Sequence, residues 1–136
     1  MLSINFGSVI VAAIVAFIVG FLMHGPVGGK LWMKLANIVP TGKEKFSDMI
    51  PQMLWNLFAN VVIATAIYIV LGFAFSIVPG TILSVTISVI FTLWIFTVAG
   101  SSMDVIWMGK SKKLWMFECF SSLLVMASMG IVIAVW

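Results

Sequence analysis

Residues 49–103 read MIPQMLWNLFANVVIATAIYIVLGFAFSIVPGTILSVTISVIFTLWIFTVAGSSM and contain no Asp, Glu, Lys, Arg or His. A membrane-spanning helix needs about 20 apolar residues, so this stretch is long enough for two crossings. Pro79-Gly80 is a strong turn signal near its middle. The stretch therefore predicts two spans, at about 51–78 and 81–108, with Pro51 at the start of the first and Gly109 ending the second. Helices are expected because the apolar residues are continuous, whereas barrel strands would alternate.

The flanking sequence predicts two further spans of the same kind. Residues 1–29 and 119–136 hold no Asp, Glu, Lys or Arg, and they place a first span at about 4–23 and a last at about 114–136. Of the 136 residues, 63% are hydrophobic and 8% are charged. Soluble domains carry about 45–50% apolar and about 25% charged residues. We therefore predict an all-α membrane protein with one four-helix transmembrane domain over 1–136, and the composition argues against a soluble globule, a disordered chain or a nucleic-acid binder.

The lysines predict the orientation of the four spans. All seven fall in the first and third loops, as Lys30, Lys34, Lys43 and Lys45, then Lys110, Lys112 and Lys113. Positively charged short loops stay on the cytoplasmic side. Both loops are therefore expected to be cytoplasmic and both termini extracytoplasmic. The first span has no basic segment before it and no Ala-x-Ala site after it, so we expect it to remain rather than be cleaved as a signal peptide.

Tryptophans and a short amphipathic segment mark the predicted inner membrane surface. Leu31, Leu35 and Ile38 share one helical face, which predicts a short interfacial helix in the first loop. Tryptophan prefers the level of the headgroups, and only Trp94 lies well inside a predicted span. The candidate contacts to lipid headgroups are Lys30, Lys34, Lys110, Lys112, Lys113, Trp32 and Trp115.

A row of small residues follows the first span at four-residue spacing: Ser8, Ala12, Ala16 and Gly20. Small residues let helices approach closely in lipid, where no hydrophobic force drives them together. The row predicts packing against another helix, in this chain or in a second copy. Glu118, Ser121, Val125 and Ser128 follow the last span at spacings of three, four and three, and predict a second packing seam.

Five polar residues from the four spans all fall in the predicted inner third of the membrane: His24, Asn56, Asn60, Asp104 and Glu118. Groups of this kind at membrane depth often mark a pathway or a binding site, although each also has a structural interpretation. Glu118 is favoured by the helix dipole, whereas Asp104 lies at the disfavoured end of its helix. Asp104 is therefore expected to have a partner, with His24, Lys110 and Lys112 as candidates. No Glu-x-x-His or His-x-x-x-His pair occurs, so we expect neither a metal nor another cofactor.

Two segments carry a resemblance to a known family. The chain begins Ile4-Asn5-Phe6, closes its first span as Gly20-Phe21-Leu22-Met23-His24-Gly25-Pro26 and continues Gly29-Lys30-Leu31-Trp32-Met33, and a late segment reads Lys113-Leu114-Trp115-Met116-Phe117-Glu118. These stretches resemble a bacterial membrane family known as domain of unknown function 1761, although Phe6 and Met23-His24 stand where that family has Trp and Trp-Tyr. The resemblance implies a four-helix protein of the bacterial inner membrane and implies no activity.

Three functions fit these features, and no catalytic motif suggests an enzyme. We favour a structural or interaction protein whose small-residue row binds another membrane protein or a second copy. The alternatives are a small oligomeric transporter or channel that uses the polar cluster, and a protein that binds anionic lipid through its lysines. Membrane lipid is a partner in each case.

Overall fold

The structure, a computed structural model, describes residues 5–43 and 45–136. It contains the helices α1 (Phe6–His24), α2 (Gly29–Leu35), α3 (Phe46–Ile77), α4 (Ile82–Trp107) and α5 (Lys112–Val135). The four longer helices are each long and apolar enough to cross a membrane, and the described residues include no strand. The predicted all-α fold with four spans and a short helix in the first loop is therefore confirmed.

The ends of α4 form where the turn signals predicted them. The Thr81 hydroxyl caps the helix start by accepting a hydrogen bond from the Ser84 N–H at 3.2 Å. At the other end, Gly109 has a φ of +67°, a left-handed conformation that glycine adopts without steric cost. The chain reverses there, and the Lys110 N–H donates to the Asp104 carbonyl at 3.2 Å.

The prediction that Pro51 begins a helix is wrong. Helix α3 starts at Phe46 and places Pro51 in its second turn. The proline removes a single hydrogen bond, to the carbonyl four residues earlier, and Asp48 in the first turn is favoured by the helix dipole. At 32 residues α3 is about 48 Å long, which exceeds a hydrocarbon core of about 30 Å.

The first span begins near its predicted position, although the predicted start at residue 4 lies outside the described residues. Asn5 precedes α1, and its side-chain oxygen accepts hydrogen bonds from the N–H groups of Gly7 at 3.0 Å and Ser8 at 3.3 Å. This is a helix cap of the ordinary kind.

The four long helices form a bundle in which α1 and α4 lie at opposite corners. Each of these two contacts both α3 and α5, α3 and α5 also contact each other, and no contact joins α1 to α4 in the described part of the chain. The core consists of alanines and larger aliphatic side chains, with one methionine: Val9, Ala12, Ala13, Ala16, Ala64, Ile67, Leu71, Ile90 and Met129. Helices α4 and α5 approach so closely at Gly130 that an added Cβ would lie 2.6 Å from Ile90 Cγ1.

Both lysine-bearing loops lie at the same end of the bundle. A Cβ added at Gly28, between α1 and α2, would lie 3.0 Å from the Phe117 ring in the first turns of α5. At the opposite end, the Trp136 ring is 3.5 Å from where a Gly7 Cβ would lie. We refer to the end formed by the α1–α3 connection and the α4–α5 connection as the lysine end.

Candidate binding cavity

A cavity of about 880 Å³ lies between α1, α3 and α5 at the lysine end. Its apolar lining includes Phe17, Phe21, Met49, Met53, Ile63 and Met126, with Trp32 contributed by α2. Its polar lining is His24, Gln52, Asn56, Asn60, Thr97, Glu118, Ser121 and Ser122. Sites for small molecules have volumes of about 300–1,000 Å³ and mostly apolar walls with a few polar groups. The cavity has these properties.

Four of the five predicted polar residues line this cavity: His24, Asn56, Asn60 and Glu118. The expectation that Asp104 belongs with them needs correction. Its carboxylate is outside the lining and lies 3.8 Å from the Lys110 ammonium. The reason is local, because the turn at Gly109 brings Lys110 back over the last turns of α4.

Asn56 and Asn60 form a hydrogen-bonded pair one helical turn apart. Asn60 Nδ2 donates to Asn56 Oδ1 at 2.9 Å, and Asn60 is 6% exposed. A carbonyl oxygen only accepts, so Asn60 Oδ1 and the Asn56 amide hydrogens remain available. They form no hydrogen bond with a described residue and are accessible from the cavity.

His24 presents a hydrogen-bond acceptor from the end of α1. Its Nδ1 lies 3.0 Å from the Gly20 carbonyl oxygen, which can only accept, so Nδ1 carries the hydrogen. In the neutral ring Nε2 is then an acceptor. The ring meets Trp32 and Phe117 edge-on, at centroid distances of 5.5 and 5.7 Å. These contacts orient the imidazole at the C-terminal end of α1, where the first loop begins.

Lys110 is held between two carboxylates. Its ammonium forms ion pairs with Glu118 and with Asp104. The hydrogen bond with Glu118 raises the pKa of Lys110, and the charges of both carboxylates raise it further against the opposing effect of partial burial. The expectation that Lys110 contacts lipid headgroups stays a prediction, and within the chain its ammonium already pairs with two carboxylates. Lys30, Lys34, Lys112 and Lys113 are exposed, as a headgroup contact requires.

Ser121 is the residue of this site whose importance the sequence analysis missed. Most described helical hydroxyls donate to a carbonyl of their own helix, as Thr65, Ser76, Thr86, Ser88, Thr92, Thr97, Ser101, Ser102, Ser122 and Ser128 do. Ser121 lines the cavity and is 3% exposed, and its hydroxyl, which bonds to no described residue, is accessible from the cavity. The sequence signal that could have identified Ser121 is its position in the predicted packing seam, because Glu118, Ser121 and Val125 of that seam all line the cavity.

The small-residue row of α1 faces the interior of this chain. Ser8, Ala12 and Ala16 are buried, and a Cβ added at Gly20 would lie 3.7 Å from Val125 Cγ2 on α5. Ala16 and Gly20 also line the cavity. The row therefore brings α1 close to its neighbours in the bundle and is not available as an outer surface.

The two tryptophans expected at lipid headgroups are partly buried, and their contact with headgroups stays a prediction. Trp32 lies against His24, and Trp115 Nε1 donates to Ser101 Oγ at 2.9 Å between α5 and α4. Trp94, which lies inside the third span, donates from Nε1 to the Cys119 carbonyl at 2.8 Å. An indole N–H within an apolar layer needs an acceptor, and a neighbouring helix supplies one in both bonds.

The fold and the cavity define a class: a small multi-pass membrane protein with a ligand-sized cavity near one end of a four-helix bundle. The family model described as "Protein of unknown function (DUF1761)" matches residues 8–134, and the chain belongs to this family. A search of curated proteins and a search of solved structures gave no match. Within the described residues, no three His, Cys, Asp or Glu side chains lie together as metal ligands. The resemblance to this family noted from the sequence is confirmed.

Proposed function

We propose that this protein is a membrane-embedded binding protein that takes a small amphipathic molecule into the cavity at its lysine end. The observation that carries the proposal is the convergence of His24, Asn56, Asn60 and Glu118, from three helices, on one cavity of about 880 Å³. The apolar walls suit a hydrocarbon or aromatic body, and the polar groups suit a hydrogen-bonding head. The proposal assigns binding to this site and no catalysis.

Protection of an introduced cysteine tests the proposal. In a Cys119→Ala background, Ser122→Cys places a thiol on the cavity lining, and Ser102→Cys places one on α4 outside it. The full chain in lipid nanodiscs is treated with N-ethylmaleimide and with one of four 4-phenylbutyl compounds, which bear an amine, an alcohol, a carboxylate or a trimethylammonium group. We expect at least one compound to slow alkylation at Ser122→Cys and leave Ser102→Cys unchanged. Equal slowing at both sites, or none with any compound, would overturn the proposal.

A second candidate function is self-association through the outer face of α4. Ser84, Ser88 and Thr92 are exposed there, and the last two line an apolar groove of about 190 Å³ between α3 and α4. Small exposed residues on a membrane helix permit close approach of another helix. A second copy seated in this groove would give a homo-oligomer, and Ser88→Leu should then shift the particle mass in nanodiscs toward the monomer. A mass unchanged by this substitution excludes the groove as the interface.

We further propose that the lysine end faces the cytoplasm in a bacterial inner membrane, where its exposed lysines contact anionic headgroups. The support is the charge distribution, since the described loop at 78–81 carries no lysine. In the Cys119→Ala background, Lys43→Cys and Lys112→Cys should react with an impermeant maleimide only in inverted vesicles, and Pro79→Cys only in intact cells. Labelling of the first two from opposite sides would contradict the proposed orientation.

A further inference from the structure

The ion-pair group beside the cavity holds one more carboxylate than ammonium. Asp104, Lys110 and Glu118 form a connected ion-pair group of two anions and one cation. In the described part of the chain no other cation lies within ion-pair distance of either carboxylate. Lys112 and Lys113 are exposed in the first turn of α5. His24, which also faces the cavity, contacts Gly20, Trp32 and Phe117 rather than Glu118.

The polar side chains of the cavity offer both acceptors and donors. Asn60 Oδ1 and the Glu118 carboxylate, which Lys110 already pairs, are acceptors, the Asn56 amide hydrogens are donors, and Ser121 can both donate and accept. Among the described residues no buried side-chain nitrogen or oxygen lacks a partner, so Ser121 Oγ and Asn60 Oδ1 are accessible from the cavity. Ser121 and Asn60 are both more than nine-tenths buried and line the cavity. A ligand rich in hydrogen-bond donors would satisfy these atoms.

We propose that the ligand is an amphipathic amine, bound as its ammonium with Glu118 as counter-ion and with Ser121 and Asn60 as further acceptors. This inference rests on the proposed binding function and names its ligand class. The apolar body of the amine lies among Phe17, Phe21 and the methionines of the lining. Aromatic faces attract cations as well as hydrocarbon, which adds to the preference for a positively charged ligand.

Lys110 and Asp104 make the exchange of partners at Glu118 possible without leaving a bare charge. Lys110 Nζ is already 3.8 Å from Asp104 Oδ2 while it pairs with Glu118. When the ammonium of the ligand binds Glu118, Lys110 can move closer to Asp104. Two ion pairs, ligand with Glu118 and Lys110 with Asp104, then replace the group of three. Asp104 thus acts as a positioning residue, and this role explains an acid at the helix end that the dipole disfavours.

The matched series of 4-phenylbutyl compounds separates charge from hydrogen bonding. Binding to the full chain in zwitterionic nanodiscs is measured by calorimetry at pH 7, with empty nanodiscs subtracted. We expect the amine to bind at least about ten-fold more tightly than the alcohol, as a hydrogen bond to a charged group implies. The trimethylammonium compound, which has charge without N–H donors, should fall between them, and the carboxylate should bind most weakly.

Variants assign the effect to residues. Glu118→Gln should remove the difference between amine and alcohol, whereas Asp48→Asn, an exposed acid at the same end, should not. Ser121→Ala should weaken both compounds about equally, and Ser128→Ala should weaken neither, because Ser128 lies outside the cavity lining and its hydroxyl already donates to the Val125 carbonyl at 2.7 Å. Asp104→Asn should weaken the amine and leave the alcohol unchanged, which a merely structural role would not do.

The outcomes distinguish the ligand class from the binding function. An alcohol or carboxylate that binds as tightly as the amine overturns the amine inference and leaves the binding function standing. No binding by any of the four compounds removes both. The comparison among compounds uses the unmodified protein, so it decides the question even where a variant fails to fold.

Discussion

The close approach of α4 and α5 at Gly130 gives a sharp test of the bundle. A Cβ at this position would lie 2.6 Å from Ile90 Cγ1 and 2.8 Å from Ile90 Cδ1. Ordinary contact begins at 3.4 Å, so in Gly130→Ala the two helices must separate locally by about 0.8 Å or Ile90 must leave its buried position. Overpacking of this kind costs about 1–3 kcal/mol.

Gly100→Ala is the matched control, because a Cβ there meets nothing within 4 Å. Both glycines lie within helices, so both substitutions gain similar helix propensity, and the difference between them isolates the packing term. We therefore expect Gly130→Ala to be less stable than Gly100→Ala by about 1–3 kcal/mol. The free energy of unfolding would be measured by reversible denaturation in mixed detergent micelles.

Ile90→Ala tests whether the contact is the cause. Alone, this large-to-small change should destabilise the protein by about 2–5 kcal/mol. Combined with Gly130→Ala it removes the atoms that the new Cβ meets, so the double variant should be more stable than the sum of the single effects predicts. Two results would refute the packing at this crossing. One is that the effects of Ile90→Ala and Gly130→Ala add to within about 0.5 kcal/mol, and the other is that Gly130→Ala is as stable as Gly100→Ala.

Three further predictions follow from single contacts. Trp94→Phe removes the bond from Nε1 to the carbonyl of α5 and should cost about 0.6–1.7 kcal/mol of unfolding free energy, whereas Trp55→Phe, at a ring 72% exposed, should cost less; equal losses would refute a role for the bond. Asn5→Ala removes the cap of α1 and should destabilise by about 0.5–2 kcal/mol in the same assay, while Asn5→Ser retains an acceptor and should retain most of the stability. The pKa of Lys110 is raised in the folded state, so its ion pair contributes its full stability below pH 10.5 and loses it as the pH rises through the pKa of the folded protein. Lys110→Gln should therefore flatten the decline in stability at alkaline pH, and Lys112→Gln, at an exposed lysine, should not.

The number and limits of the spans could be predicted because hydropathy and turn residues act locally. The turn at Pro79-Gly80 and the stop at Gly109 lie where the sequence placed them. Pro51 gave a wrong helix start because proline prefers the first turn of a helix but is not confined to it. A proline in the second turn removes one hydrogen bond, and the turn before it can still form.

The direction in which each side chain faces was harder to predict than its depth. Depth follows from position along a span, and it correctly grouped His24, Asn56, Asn60 and Glu118 near one end. Facing depends on the rotation of each helix about its axis, which packing against neighbours sets. The row from Ser8 to Gly20 was compatible with an inner or an outer surface. The burial of Ser8, Ala12 and Ala16 and the closeness of Gly20 to Val125 show that it packs within this chain.

The absence of a hydrogen bond to the helix backbone identifies residues of the site more selectively than their polarity does. A serine in a membrane helix usually donates to its own backbone and then has no need of a partner. Most hydroxyls described in this bundle do so, which makes their presence in an apolar layer inexpensive and uninformative. Ser121 lies on the cavity lining without such a bond, and Asn60 beside the same space uses one donor and leaves its oxygen free. Because no buried side-chain nitrogen or oxygen among the described residues lacks a partner, these two atoms face the space of the cavity, where a donor-bearing ligand can reach them.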